Sequence, residues 1–336
     1  MNVHAAALAQ SYPLDDQTSA FAGDVIGDLS QFPKRLSPKY FYDAAGSRLF
    51  DEITRLPEYY LTRTEDALLD RLAPALMRAL EPRDVVELGS GFSLKTRRLL
   101  EARGGGALRY TPVDVDETTV AASAERLLAE DPALQVHAVI GDFERHLVHV
   151  PAPSGRRLVL FLGSTIGNLD APARQALLAQ VRSLLRRGDR LLVGVDLVKD
   201  VTVLEAAYND AAGVTAAFNR NILRVVNRSL GADFRPEAFR HQAWYNAAES
   251  RIEMHLVAET RQTVHIRSLD LTVRLEPSES IWTESSYKFT RASTRAMLAA
   301  AGLRLDAWHT DAGERFALAL AAPTSRAVAA RATRAA

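Results

Sequence analysis

Four short β-like runs recur between residues 85 and 162, each closed by a turn and followed by a helix-patterned stretch. This alternation constrains the fold more than any other feature of the chain. Residues 85–88 run into Gly89-Ser90-Gly91 and the helix-like KTRRLLEA; residues 108–113 end at Asp114, ahead of TTVAASAERLLAE. Residues 134–140 end at Gly141-Asp142-Phe143, and residues 158–162 at Gly163-Ser164, with ARQALLAQVRSLLRR as the next helix. A fifth strand, 191–195, stops at Asp196. Strands alternating with helices of this length predict an α/β fold with a parallel sheet covered on both faces. Right-handed crossovers then bring every strand's C-terminal end to one edge.

After Asp196 the pattern breaks. A helix-like stretch, VTVLEAAYNDAAGVTAAFNRNILRVVNRSL, leads to antiparallel strand patterns at 251–259, 263–266 and 269–275. The helix RASTRAMLAAAG then precedes a strand at 303–309, a turn at Asp311-Ala312-Gly313 and a strand at 315–322. The expected organisation is therefore one α/β domain over 63–199 and 289–323, and a mixed α+β domain built from 1–62 and an insertion at 200–288. A frayed Ala- and Arg-rich tail is expected over 324–336.

Composition narrows the function classes. Forty-one basic residues balance forty-one acidic ones, so no global field favours a nucleic-acid backbone or an anionic membrane. Cysteine is absent, which removes thiol nucleophiles, thiolate metal sites and disulfides. The first residues lack a basic stretch followed by a long apolar run, and no apolar segment reaches membrane-span length. A cytoplasmic, monomeric protein acting on a small molecule is expected. His146 and His149 share a helical face without a clear third ligand, so no metal is expected. Trp244, Trp282 and Trp308 read as packing residues.

The glycine loop follows a strand and opens a helix, so its backbone N–H groups can approach a polar ligand closely. Leu94 stands where a dinucleotide fingerprint needs a third small residue, which disfavours NAD and FAD. The stretch ELGSGFS, which opens on the acidic strand residue Glu87, resembles motif I of S-adenosylmethionine-dependent methyltransferases, whose cofactor has no pyrophosphate. Asp114, ending the second strand, suits the ribose hydroxyls. Asp142 and Phe143, ending the third, suit an adenine edge, and Lys95 lies within reach of the cofactor's carboxylate. The closing helix and hairpin suit a seven-stranded class I methyltransferase sheet, Rossmann-like, with its last strand antiparallel.

Longer blocks sharpen this. PKYFYDAAGSRLFDEITRLPEYYLTRTE (38–65), VELGSGFSLKTR, FLGSTIGNL, DLVKD, AYNDAAGVTAAFNRN and TESSYKF are similar, in this order, to the hallmarks of the histidine Nα-methyltransferases of ergothioneine biosynthesis. Leu61, where that family commonly has proline, and Tyr40, where Trp is common, are mild departures. The resemblance implies trimethylation of the α-amino group of L-histidine to hercynine, with S-adenosylmethionine as donor. It places cofactor contacts at Gly89, Lys95, Asp114, Asp142 and Phe143. The amino-acid head group falls to Tyr59, Asn168 and Tyr208, with Asn168 and Tyr59 as the catalytic pair. The imidazole falls to Glu284 and Ser286, with Ser285 contributing through its backbone.

Taken singly, these residues have bland readings: a surface carboxylate at 284, a turn-closing amide at 168, core aromatics at 59 and 208. Three alternatives also stay open: the same N-methylation on another amino acid such as tryptophan, a catalytically silent cofactor-binding module, and nucleic-acid methylation, the last disfavoured by the balanced charge.

Overall fold

Every residue of the strands Asp84–Leu88 and Arg157–Phe161 is buried, as parallel strands sandwiched between helices must be. The computed structural model describes residues 8–11 and 14–324. In chain order its elements are β1 (Leu8–Ser11), α1 (Leu14–Ser30), β2 (Lys34–Arg35), α2 (Ala44–Arg55), α3 (Tyr60–Leu80), β3 (Asp84–Leu88), α4 (Leu94–Glu101), β4 (Leu108–Asp114), α5 (Glu117–Glu130), β5 (Leu134–Ile140), β6 (Arg157–Phe161), α6 (Ala171–Leu184) and β7 (Arg190–Asp196). There follow α7 (Val201–Ala206), α8 (Val214–Leu230), β8 (Phe239–Asn246), β9 (Arg251–Ala258), β10 (Gln262–Ile266), β11 (Leu271–Leu275), β12 (Ser280–Tyr287), α9 (Arg291–Ala300), β13 (Leu303–Thr310) and β14 (Phe316–Pro323).

The main sheet has eight strands in the order β1-β5-β4-β3-β6-β7-β14-β13. The β7–β14 and β14–β13 pairings are antiparallel and the others parallel. Seven of these strands are the ones the sequence pattern predicts. The eighth, β1, comes from the N-terminal segment and pairs with β5 at the edge. Successive strand residues alternate between two cores. Val85, Leu158 and Leu160 pack with Leu99 of α4 and Leu127 of α5, whereas Val86, Val159 and Phe161 pack with Leu177 and Val181 of α6. The helices following β3 and β6 thus cover opposite faces, and the strand order reverses between those two strands. At the other end of the sheet, buried Asp84 takes ion pairs from its cross-strand neighbours Arg109 at 2.8 Å and Arg157 at 2.6 Å.

A second sheet has the order β2-β12-β9-β8, so two N-terminal residues share a sheet with the strands of the 239–287 region. Strand β8, HQAWYN at its core, was not anticipated; its mixed burial gives it little periodic signal. Beside this sheet the turn before α2 packs on α8. Phe41 and Phe218 rings lie 4.5 Å apart, and the Asn221 amide donates to Asp43, the cap of α2, at 2.7 Å. Of the expected tail only Thr324 falls among the described residues, where its N–H donates to Gly302 at 2.9 Å. No helix among the described residues is long and apolar enough to cross a membrane.

The PKYFYDAAG turn closes so tightly that a Cβ on Gly46 would stand 1.7 Å from the Phe41 carbonyl oxygen. Backbone has to shift to admit it. Gly46→Ala is expected to cost about 3 kcal/mol, read as a lower denaturation midpoint; an unchanged midpoint would contradict the packing described.

Candidate active site

A cavity of about 580 Å³ opens at the C-terminal edge of β3, β4, β5 and β6 and runs to the second sheet. All eleven site residues named from the sequence line it.

One end is built by the strand termini. Gly89 and Gly91 adopt left-handed φ of +67° and +47°, which glycine does without steric cost. Gly91 N–H donates to Asp114 Oδ2 at 2.8 Å and Asp116 N–H to Oδ1 at 3.1 Å. Burial nevertheless pushes the Asp114 carboxyl up. The Phe143 ring packs against Phe161 at 5.5 Å and would lie 3.6 Å from a Cβ on Gly89. Asp142 accepts from Glu144 N–H at 2.8 Å and faces Lys39 of the N-terminal segment at 3.4 Å. Lys95, expected to meet a cofactor carboxylate, borders the cavity and also ion-pairs with buried Glu65, which accepts from Gly163 N–H at 2.8 Å. A glycine loop, a half-buried carboxylate with lone pairs to spare and an acidic–aromatic pair fit the loop, ribose and adenine demands of S-adenosylmethionine.

The other end draws on four separate elements. Tyr59 precedes α3 and meets Phe50 and Tyr208 edge-on at 6.2 and 6.3 Å. Asn168 ends the 3₁₀ turn Thr165–Asn168. That turn sits directly on β12, since a Cβ on Gly167 would be 2.9 Å from the Tyr287 carbonyl. Tyr208 occupies a break between α7 and α8, where the sequence pattern reads as one helix-like stretch. Asp210 makes the break by accepting from the N–H groups of Val214 and Thr215, both at 2.8 Å, and Gly213 turns the chain at φ +74°. Glu284 follows a β-bulge in the β12–β9 pairing, and the Trp282 indole N–H donates to its carbonyl at 2.8 Å. Ser286 Oγ lies 2.7 Å from the Tyr208 hydroxyl.

Several of these groups lack partners. Among the described residues the Asn168 amide, the Glu284 carboxylate and the Tyr59 and Tyr42 hydroxyls make no side-chain hydrogen bond, yet all four line the cavity. Burial pushes Tyr42 and Tyr59 up, so both remain neutral donors. It also lifts Glu284 to about 7, against the opposing charge of Lys288. Sequence reasoning missed Tyr42, Met254 and Trp282 on the wall and Lys288 behind it. Trp282, taken as packing, stacks under Arg35 and Arg251 at 4.4 and 4.5 Å while facing the cavity. Tyr42 and Lys288 sit inside the quoted motif blocks, but only the folded contacts show what they face. His146 and His149 stack on each other at 6.1 Å.

The reversed parallel sheet, its antiparallel closing hairpin and the glycine loop facing Asp114 define a class I methyltransferase that uses S-adenosylmethionine. Residues 21–323 match the family model described as histidine-specific, SAM-dependent methyltransferase. The chain is 50% identical over 305 residues to the Histidine N-alpha-methyltransferase of Mycobacterium tuberculosis (strain CDC 1551 / Oshkosh), covering 90% of this chain and 95% of that protein. It is 49% identical over 316 residues to the protein of that name from Mycolicibacterium smegmatis, covering 94% and 98%. The Ergothioneine biosynthesis protein 1 of Neurospora crassa is 30% identical over 273 residues, 74% of this chain and 31% of that protein. The chain belongs to the histidine-specific, S-adenosylmethionine-dependent methyltransferases.

The raised Glu284 pKa has a sign that can be measured. Between the ordinary glutamate value of 4.5 and about 7 the folded protein holds a proton that the unfolded chain has released, so stability falls as pH rises through that window. Glu284→Gln removes this component. Without ligand, it should stabilise the protein by roughly 1–2 kcal/mol more at pH 8 than at pH 5; denaturant titrations giving the same difference at both pH values would refute the assignment.

Proposed function

We propose that the protein transfers three methyl groups from S-adenosylmethionine to the α-amino nitrogen of L-histidine, giving hercynine, the first step of ergothioneine biosynthesis. One observation carries the proposal: four polar side chains that make no side-chain hydrogen bond among the described residues, Tyr42, Tyr59, Asn168 and Glu284, line one cavity that also has a cofactor end. A ligand that filled the cavity without pairing these groups would forfeit about 1–3 kcal/mol for each, so the cavity favours a ligand that pairs them. An amino acid with a two-nitrogen ring does so. The names of the mycobacterial relatives, at about half identity over nearly the whole chain, support the same substrate.

In this proposal Gly89, Asp114, Asp142 and Phe143 hold the cofactor, with Lys95 beside its carboxylate. When bound, the cofactor supplies an electrophilic methyl carbon on a sulfonium. What remains for the protein is alignment and exclusion of water, which can contribute about 7–11 kcal/mol of barrier lowering. The Asn168 amide oxygen accepts from the amine and its nitrogen donates to the carboxylate, orienting the nucleophile without fixing its charge. Tyr59 and Tyr208 donate to the carboxylate, and the faces of nearby rings, Phe50 included, accommodate the growing ammonium through cation–π attraction of roughly 0.5–2 kcal/mol. No side chain is needed as a dedicated base, because the amine can lose each proton to water.

Glu284 and Ser286 pair the two ring nitrogens, and Ser285 contributes its backbone between them. Tryptophan is disfavoured, because indole has a single N–H and would leave one of the pair unsatisfied. The four-stranded sheet and the helices on it, from 1–62 and 200–288, act as the substrate-binding unit; residues 63–199 and 289–323 act as the methyl-donor unit.

Mass spectrometry of histidine incubated with protein and S-adenosylmethionine should show a product heavier by three methylene units; its absence would mean a silent module. Glu284→Ala should raise the KM for histidine by roughly 100-fold and leave cofactor affinity unchanged, and unaltered histidine turnover would overturn the ring assignment.

A further inference from the structure

Behind the wall of the amino-acid end lies a buried charged cluster that the chemistry above does not use. Lys288 is fully buried, and its Nζ has three acceptors for its three protons: Asp196 Oδ2 at 2.9 Å, Ser286 Oγ at 2.8 Å and the Tyr208 hydroxyl at 3.1 Å. Asp196, also fully buried, further accepts from the Tyr60 hydroxyl at 2.8 Å and from Lys199 at 2.6 Å. Two ammonium groups thus share one directly bonded carboxylate, while Asp311 acts on Lys199 and Glu284 on Lys288 through space alone. A buried ammonium is stabilised by further negative charge beside it, so the cluster favours an anion on the cavity side.

Proton accounting says how it is met. Because Lys288 donates to both hydroxyls, neither Tyr208 nor Ser286 can turn its own proton toward the cluster. The two oxygens are 2.7 Å apart and share one of their two protons. The other proton has only the cavity to point into. Phenol is the more acidic donor, so Ser286 donates to Tyr208, and Tyr208 donates outward to an anion.

We propose that Lys288 is a positioning residue of the amino-acid site: it locks Tyr208 and Ser286 into one hydrogen-bonded unit that presents a single outward proton, backed by positive charge, to the substrate carboxylate. Ser286 is left as an acceptor toward the ring, so the head-group and ring subsites are coupled through Lys288. This rests on the amino-acid substrate proposed above.

The test is a double-mutant cycle read as histidine affinity, with S-adenosylhomocysteine affinity as the folding control. Lys288→Met should weaken histidine by roughly 30-fold, the scale of a hydrogen bond to a charged group, and leave the cofactor product's affinity unchanged. Tyr208→Phe should cost roughly 10-fold or more with Lys288 present and little in the Lys288→Met background. Equal costs in both backgrounds would overturn the proposal. Asp196 keeps Lys199 and Tyr60 as partners in Lys288→Met; should that variant fail to fold, Lys288→Gln, which removes the charge and keeps a polar end, carries the same comparison. The unaltered protein gives an independent arm: histamine, which lacks the carboxylate, should bind at least roughly 30-fold more weakly than histidine, and comparable affinity would sink the proposal. Failure of the unaltered protein to bind or methylate histidine would instead refute the proposed function; methylation with an additive cycle refutes only the role of Lys288.

Discussion

The reversal of strand order between β3 and β6 is the constraint on which the rest of the molecule depends. With α4 and α6 covering opposite faces, no helix crosses the C-terminal ends of these two strands, and a crevice must open there. The glycine loop comes from one side and the Asn168 turn from the other, so groups far apart in sequence face a common space. The crevice is tied across by Glu65, which joins Lys95 of the loop helix to the Gly163 backbone. The Asp84–Arg109–Arg157 pairs pin the opposite edge. Geometry is therefore held at both ends of the strands while the upper ends stay open for ligand.

Polarity inside that space works against stability and for selectivity. Asp114, Glu87 and Glu284 are all displaced upward by burial, so each holds its negative charge less readily than a solvated carboxylate does. Glu87 has hydrogen-bond partners in Thr96 and Tyr110, whereas Glu284 has none among the described residues. Groups of the second kind are where ligand chemistry is read, because a ligand that cannot pair them leaves the desolvation cost standing. The second sheet supplies this function by bringing β12 over the crevice, with its bulge turning Glu284 inward.

Legibility in the sequence followed locality. The strands β3 to β7, the glycine loop, Asp114 and the Asp142-Phe143 pair were readable because each is a short-range pattern: an apolar run, then a turn, then a polar residue at a strand end. Tyr208 was readable only through motif similarity, and its helix break was not, since it depends on Asp210 capping over a few residues within an otherwise helical pattern. Strand β1 and strand β8 escaped because their strand state depends on the partner they pair with. Trp282 reads as a packing residue and does stack on Arg35, Arg251 and His255; that it also borders the cavity was not legible, because an aromatic on a strand has the same local signature in either setting.

By itself the sequence determined the α/β alternation, the common edge of the strand ends, the methyl-donor loop and the family, since periodicity and contiguous motifs survive without knowledge of long-range contacts. Only the tertiary structure decided that residues 34–35 join β12 in one sheet, that Tyr42, Tyr59, Asn168 and Glu284 line one cavity with no side-chain hydrogen bond among the described residues, and that Lys288 stands behind Tyr208 and Ser286. Those facts depend on residues separated by tens to hundreds of positions being brought to one place, and packing, not local propensity, sets such placement.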